Sequence, residues 1–359
     1  GVRGAQEFVA QEVLGELPEE RVVALGRVAL HDTIDDELVA RVTDFDGTAA
    51  QLLDALPLVT QSADGNWNLH DLWRSVLTER LSSEDRRASL VAGAQILRSR
   101  GRLREAIAET VAAGDDDATL ELLAEFARDL PVALPISDRR VVLDLLPSSL
   151  EGCAEAALLR ADIDFATAPM RAAPPLQRAI DTATEQDRPE VTVLALLRLG
   201  DMAYRSGDTD GLDEARRRLE RLNELGGTGA DAALALTETW LRLLSNDQDG
   251  ALEYMSSSAL RAYPPVASMA DYYRAVLLGH AGRAQASLDA LAELSRTPDA
   301  RILERRGGFA GLMHWWCGTL DARGRHDAAE TLDRLGDDHQ QHLLVEGAAS
   351  TALFLSLIH

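Results

Sequence analysis

His70 and Asp71 stand side by side in the stretch N-W-N-L-H-D-L-W-R-S-V-L, where a polar hairpin-like run meets an apolar segment of helical spacing. An imidazole beside a carboxylate at the mouth of a helix can do three things. Asp71 can cap the helix, leaving His70 incidental, with a gain of about 1 kcal/mol. The histidine can touch a phosphate. The pair can also serve hydrolysis, but adjacent residues do not orient one another as a catalytic triad requires. No G-x-S-x-G nucleophile accompanies them.

A second group with chemical potential is aromatic and cationic. Eight of the 16 aromatic residues fall between 240 and 316, including Trp240, Tyr272, Tyr273, Trp315 and Trp316. One reading is core packing. The other is an aromatic-lined pocket with a few polar groups to orient a ligand. Neighbours on a helix point about 100° apart, so Tyr272 with Tyr273, or Trp315 with Trp316, cannot both face one core. Arg198, Arg242 and Arg274 are expected in the first helices of successive helix pairs, where they offer cations to carboxylate or phosphate groups. These eight residues are the candidate effector contacts. Metal binding is not expected. His314 with Cys317, and His339 with His342, supply two ligands each, whereas a structural zinc takes four.

Composition removes several classes of function. The chain of 359 residues carries 36 basic and 59 acidic side chains, a net charge of −23. That argues against gripping a nucleic-acid backbone, which needs clustered cations. Every basic residue is arginine; there is no lysine. A phosphate-binding P-loop needs its lysine, and Schiff-base chemistry needs one too, so neither resides in these residues. Cys153 and Cys317 form no C-x-x-C pair, which suits a reducing cytoplasm. No apolar run reaches the 18 residues of a membrane span. The chain opens on Gly1 rather than Met and closes on T-A-L-F-L-S-L-I-H. The expectation is therefore a piece of a longer polypeptide.

Position of these residues depends on the elements around them. Residues 5–57 read as four short helices, with Pro18 near one helix start. Leu58 to Leu69 reads as two short strands joined at Asp64-Gly65. A helix over roughly 71–82 closes the unit. Helices, a two-stranded hairpin and a further helix outline a winged helix over 1–83. From 84 to 359 the strand signals stop and helices alternate with short turns. S-G-D-T-D-G-L-D-E-A (206–215) resembles S-N-D-Q-D-G-A-L-E-Y (245–254). The turn residues Gly207, Asn246, Gly282 and Gly324 lie 39, 36 and 42 residues apart. Small residues, Ala106 and Ala329, follow two turn glycines by five positions and let paired helices press together. A single pair cannot bury its apolar face, so pairs must stack. The fold class expected is all-α: a TPR-like helical-repeat superhelix (α-solenoid) preceded by a small winged helix with one β-hairpin. A-T-A-P-M-R-A-A-P-P-L-Q (166–177) reads as a loop. Asp115-Asp116-Asp117 reads as a solvated cap, and Arg216-Arg217-Arg218 as a solvated helix face.

The L-H-D-L-W-R-S-V-L segment, E-V-L-G-E-L-P-E-E-R-V-V-A-L-G-R-V-A-L before it and R-G-R-L-R-E-A-I-A-E-T-V-A-A-G-D-D-D-A-T-L-E-L-L after it resemble the STAND signal-transduction ATPases. The branch is similar to the MalT-like maltose activators and the large LuxR-type and SARP-type transcription regulators. In that family a Met-His-Asp motif ends the winged helix, and its histidine meets the phosphates of bound ADP. Leu69-His70-Asp71 matches with Leu in place of Met. The resemblance implies that His70 senses nucleotide against an ATPase domain outside these residues. It implies no cofactor in this piece and ATP/ADP in the full-length protein. It further implies a cytoplasmic, non-enzymatic regulatory fragment without membrane contact. Its partners would be a small-molecule inducer or regulatory protein, with possible self-association and DNA reached only through a domain absent here. The rival expectation is a plain TPR-like protein–protein interaction scaffold with no nucleotide switching.

Overall fold

The computed structural model describes residues 12–128, 136–167 and 171–255, with parts of 258–293. Two compact units divide the chain. One holds the residues up to Phe126 together with Val141–Glu151, and the other holds Ala127–Arg140 and the residues from Gly152 onward.

The first unit begins with α1 (Glu19–Val28), α2 (Asp36–Val42) and α3 (Ala49–Leu53). Local chemistry sets each start. Pro18 precedes α1, whose first turn carries Glu19 and Glu20, where negative charge suits the helix dipole. Asp35 caps α2 by accepting from Leu38 N at 2.8 Å. Thr48 and Gln51 form a reciprocal capping box on α3. Strands β1 (Val59–Gln61) and β2 (Trp67–Leu69) then pair antiparallel, Val59 opposite Leu69 and Gln61 opposite Trp67. Gly65, at φ 87°, turns the chain between them. The hairpin has a neighbour that the alternation of apolar residues did not announce. Ile34 and Trp67 exchange backbone hydrogen bonds of 2.9 and 2.7 Å.

Helix α4 (Asp71–Glu79) follows directly and lays Trp73 and Leu77 into the core formed by Leu25, Val28, Val39 and Leu52. Each such large apolar side chain contributes roughly 1.5–3 kcal/mol on burial. The helix stops earlier than the expected residue 82. Ser82 instead caps α5 (Ser83–Ser99), accepting from Asp85 N at 3.0 Å, and a residue in that extended cap conformation cannot extend the previous helix. A left-handed turn at Gly101 leads into α6 (Leu103–Ala113), and Ala106 on it is fully buried. Asp115 then caps α7 (Asp116–Arg128) through Ala118 N and holds Arg87 at 3.2 Å, so its carboxyl lies below the usual aspartate range.

Next come α8 (Ile136–Leu145), α9 (Ala154–Thr167), α10 (Ala173–Glu185), α11 (Pro189–Ser206), α12 (Thr209–Glu224), α13 (Ala230–Leu244), α14 (Gln248–Met255), α15 (Ser258–Ala262) and α16 (Pro264–His280). From α9 to α14 each helix packs on the next, α15 packs on α16, and α11 also meets α13, α13 meets α15, and α14 meets α16. This is the all-α, TPR-like helical-repeat fold. On α10, Leu176, Ala179, Ile180 and Ala183 recur at helical spacing and are all fully buried.

The turns carry the repeat. Gly207 (φ 71°) and Asn246 (φ 61°) occupy equivalent left-handed positions at helix ends. In both, the next residue's N–H reaches five residues back along the turn, Asp208 to Ala203 O and Asp247 to Arg242 O. That same aspartate caps the following helix at 3.0 Å, on Gly211 N or Gly250 N. The likeness of 206–215 and 245–254 is thus one turn built twice. Gly282 and Gly324 lie outside the described residues, as does Ala329. The expected loop at 166–177 is shorter. Pro174 and Pro175 lie in the first turn of α10, where proline's missing N–H costs nothing. Arg216 and Arg217 lie on α12 and pair with Asp213, Glu214 and Glu220, while Arg218 reaches Gln177.

Candidate functional site

His70 is the N-cap of α4, and Asp71 is the first helical residue. The imidazole Nδ1 accepts from Leu72 N at 3.2 Å. The capping that sequence assigned to Asp71 is done by the histidine itself. In the neutral ring an accepting Nδ1 leaves the hydrogen on Nε2. His70 is exposed, and Nε2 makes no hydrogen bond among the described residues. An N–H donor is therefore presented at a positive helix end, where anions are stabilised.

The mounting is rigid. Trp73, 1% exposed, donates from Nε1 to Pro57 O at 2.6 Å. Arg74 donates to four backbone carbonyls: Leu69 at 3.3 Å, Ala29 at 3.2 Å, His31 at 2.6 Å and Asp32 at 2.9 Å. Such charge-assisted bonds are roughly twice as strong as neutral ones.

Sequence reading missed a second constellation in the same unit. His31 Nδ1 lies 2.7 Å from Glu109 Oε1, and Nε2 lies 3.1 Å from Ser89 Oγ. These are the distances of a serine–histidine–carboxylate triad. The hydrogens rule out that chemistry. Ser89 gives its only hydrogen to Arg27 O at 3.0 Å, so Nε2–H must donate to Ser89 rather than remove its proton. His31 and Ser89 are also buried, at 3% and 2% exposure, away from any substrate. No sequence signal could have shown this, because Ser89 and Glu109 lie 58 and 78 positions from His31.

In the second unit, Trp240 on α13 is fully buried. It stacks on Tyr204 at 5.9 Å and meets Tyr273 edge-on at 6.1 Å. Tyr273 is itself buried and donates to Asp201 Oδ1 at 3.2 Å. Arg198 is buried too. It pairs with the fully buried Asp162, and donates to Ala127 O and Leu194 O at 3.1 and 3.2 Å. Arg139 joins the same aspartate at 3.4 Å. Thus Trp240 and Tyr273 come together, with Tyr204 as a third ring. Arg198 lies in a separate buried ion cluster, though it was expected among the ligand-facing cations.

Arg242 does something else. It binds Asp247 at 2.6 Å and lies 4.9 Å over the Tyr254 ring, bracing the Asn246 turn. The Asp247 hydrogen bond is the main reason its guanidinium binds its proton more tightly than usual. Arg274 is half-buried on α16. Tyr272 also lies on α16, but its side chain is outside the described set. Trp315, Trp316, His314, Cys317, His339 and His342 lie outside the described residues altogether.

Burial shifts two further groups. The Cys153 thiol is pushed up to about 11 by desolvation, with the Glu155 charge adding to it. The Tyr263 hydroxyl is pushed up to about 12, again by desolvation first and Glu190 second. Its oxygen and Trp240 Nε1 are buried without hydrogen-bond partners. Among the described residues no group of three or more potential metal ligands occurs, and no helix is long and apolar enough to cross a membrane.

No family model matches the chain, and no curated protein matches its sequence. A solved structure does match in fold. It is a signal transduction ATPase with numerous domains (STAND) protein with a tetratricopeptide repeat sensor, from Pyrococcus horikoshii. The TM-score is 0.65 at 14% identity, over 96% of this chain and 55% of that one. The chain therefore spans about half the length of that protein.

Proposed function

We propose that this chain is the regulatory sensor part of a STAND-type switch protein and is not itself a catalyst. One observation carries the reading. An exposed histidine N–H stands on a rigid helix end, in a chain whose fold follows a STAND protein with a tetratricopeptide repeat sensor over 96% of its length. The order of α1, the Ile34 bridge, α2, α3, hairpin and α4 supports reading 1–83 as a winged helix. The helical array of 84–359 then receives the signal. ATP or ADP would be held by a nucleotide-binding domain elsewhere in the polypeptide, with His70 donating to a phosphate oxygen. DNA contact in a MalT-like, LuxR-type or SARP-type transcription regulator would come from a further domain. The effector, a small-molecule inducer or a regulatory protein, would bind the array within 190–320. Arg242 and Arg274 remain its candidate contacts there, with Tyr272, Trp315 and Trp316.

The test is nucleotide retention in a longer polypeptide that includes the nucleotide-binding domain. His70→Ala should speed ADP release by tenfold or more. Unchanged release would reject the sensing role. The rival reading, a protein-interaction scaffold, draws support from the inward use of Trp240, Tyr273 and Arg198, which serve packing. It predicts no effect of His70→Ala on any nucleotide property.

A further inference from the structure

Helix α4 is tied to α5 and α6 through His31, besides the bond that Arg86 of α5 donates to Thr78 O at 2.8 Å. Arg74 lies one turn beyond His70, and its guanidinium holds the carbonyls of Ala29, His31 and Asp32. The first turns of α4 and the segment that carries the His31 ring are therefore fixed to each other. The ring in turn reaches two other helices, Ser89 on α5 and Glu109 on α6. Glu109 depends on this contact. Its Oε1 faces His31 at 2.7 Å, and its buried Oε2 has no hydrogen-bond partner. A buried carboxylate that loses its one partner is strongly destabilised. The ring also has a single seat. A methyl group on Gly93 of α5 would stand 2.2 Å from His31 Cε1 and 2.4 Å from Glu109 Oε2. Moving the ring by about 1 Å would stretch both of its bonds past useful length. The arrangement is thus closed or open, with little between.

We propose that Arg74, His31 and Glu109 form a latch, so that a displacement of the α4 N-terminus is carried to His31 and releases α6. The inference rests on His70 as the sensing residue, since it names what a signal at His70 would move. Its test uses no nucleotide and can fail separately.

The test is hydrogen exchange on the 359-residue chain, with Glu109→Gln, Arg74→Leu and the double variant. Each single variant should speed amide exchange in both 71–79 and 103–113 by about tenfold, leaving 36–42 unchanged. Cutting one latch at two places should add no more than about twofold beyond the larger single effect, whereas independent contacts would multiply to about a hundredfold. The proposal is overturned if Glu109→Gln alters 103–113 alone, if the two effects multiply, or if exchange rises evenly across the unit. Should Arg74→Leu not fold, Ser89→Ala replaces it and must give the same paired pattern. A His70→Ala variant that leaves ADP release unchanged would reject the sensing role while this pattern stands.

Discussion

Replacing Gly93 with alanine sets two effects of opposite sign against each other. In a helix interior, alanine is worth up to about 1 kcal/mol over glycine. Gly93 lies inside α5, so propensity alone predicts a more stable protein. Packing predicts the reverse. The new Cβ would stand 2.2 Å from His31 Cε1 and 2.6 Å from Nδ1, so the ring must leave. The contact with Glu109 is charge-assisted and worth roughly 1.5–3 kcal/mol, and the Ser89 bond roughly 0.5–1.5 kcal/mol. Subtracting the propensity gain leaves a net loss of about 1–3.5 kcal/mol. Thermal and urea unfolding of the first unit would measure it. Gly15→Ala is the control, because a Cβ there meets nothing within 4 Å. In a His31→Ala background Gly93→Ala should turn stabilising, since the ring is gone and the remaining close neighbour, Glu109 Oε2, is the end of a flexible side chain that can turn into the vacated space. A Gly93→Ala protein more stable than the parent would refute the packing argument and with it the single seat of the ring.

Trp240→Ala should cost about 3–5 kcal/mol, read by unfolding, because the indole is fully buried between Tyr204 and Tyr273; near-neutral stability would mean that it lines a pocket instead. Gly207→Ala should destabilise by roughly 1 kcal/mol at its left-handed position, whereas Asn246→Gly should be neutral or stabilising. Asp115→Ala should cost about 1 kcal/mol as a lost cap. Its carboxyl is held below the usual aspartate value, so that stability is present above the unfolded value and fades as pH falls through the lowered one. An effect of Asp115→Ala that persists undiminished at pH 2 would contradict this. In a Cys317→Ser background, Cys153 should resist thiol reagents at pH 8 until the protein unfolds, since burial keeps it protonated. Calorimetric titration of ATP into the chain should show no micromolar binding, as no lysine is present to meet its phosphates.

Much of the fold was legible because its signals are local. Pro18, Asp35, and Thr48 with Gln51 each fix a helix start within three or four residues, although the equally local cap at Ser82 was read as the end of the preceding helix. Asp64-Gly65 fixes the hairpin turn. The likeness of 206–215 to 245–254 was visible because one backbone geometry needs Gly or Asn, then Asp, then Gly. Charge was legible as well: without lysine, a Walker phosphate site is impossible whatever the fold.

Tertiary structure decided which side chains face inward and with whom. Composition could not tell Arg198, buried on Asp162, from Arg242, bracing a turn, since both are arginines on helices of the same array. It could not tell whether Trp240 is core or lining. Nor could it join His31 to Ser89 and Glu109, because bringing them within 3.1 Å depends on how α5 and α6 pack against the segment that follows α1 rather than on any local preference. His70 shows both levels at once. Its place at a helix mouth follows from the residues around it. That the ring caps the helix through Nδ1 and turns Nε2 outward depends on the backbone of β2 and α4 and on the core that holds them.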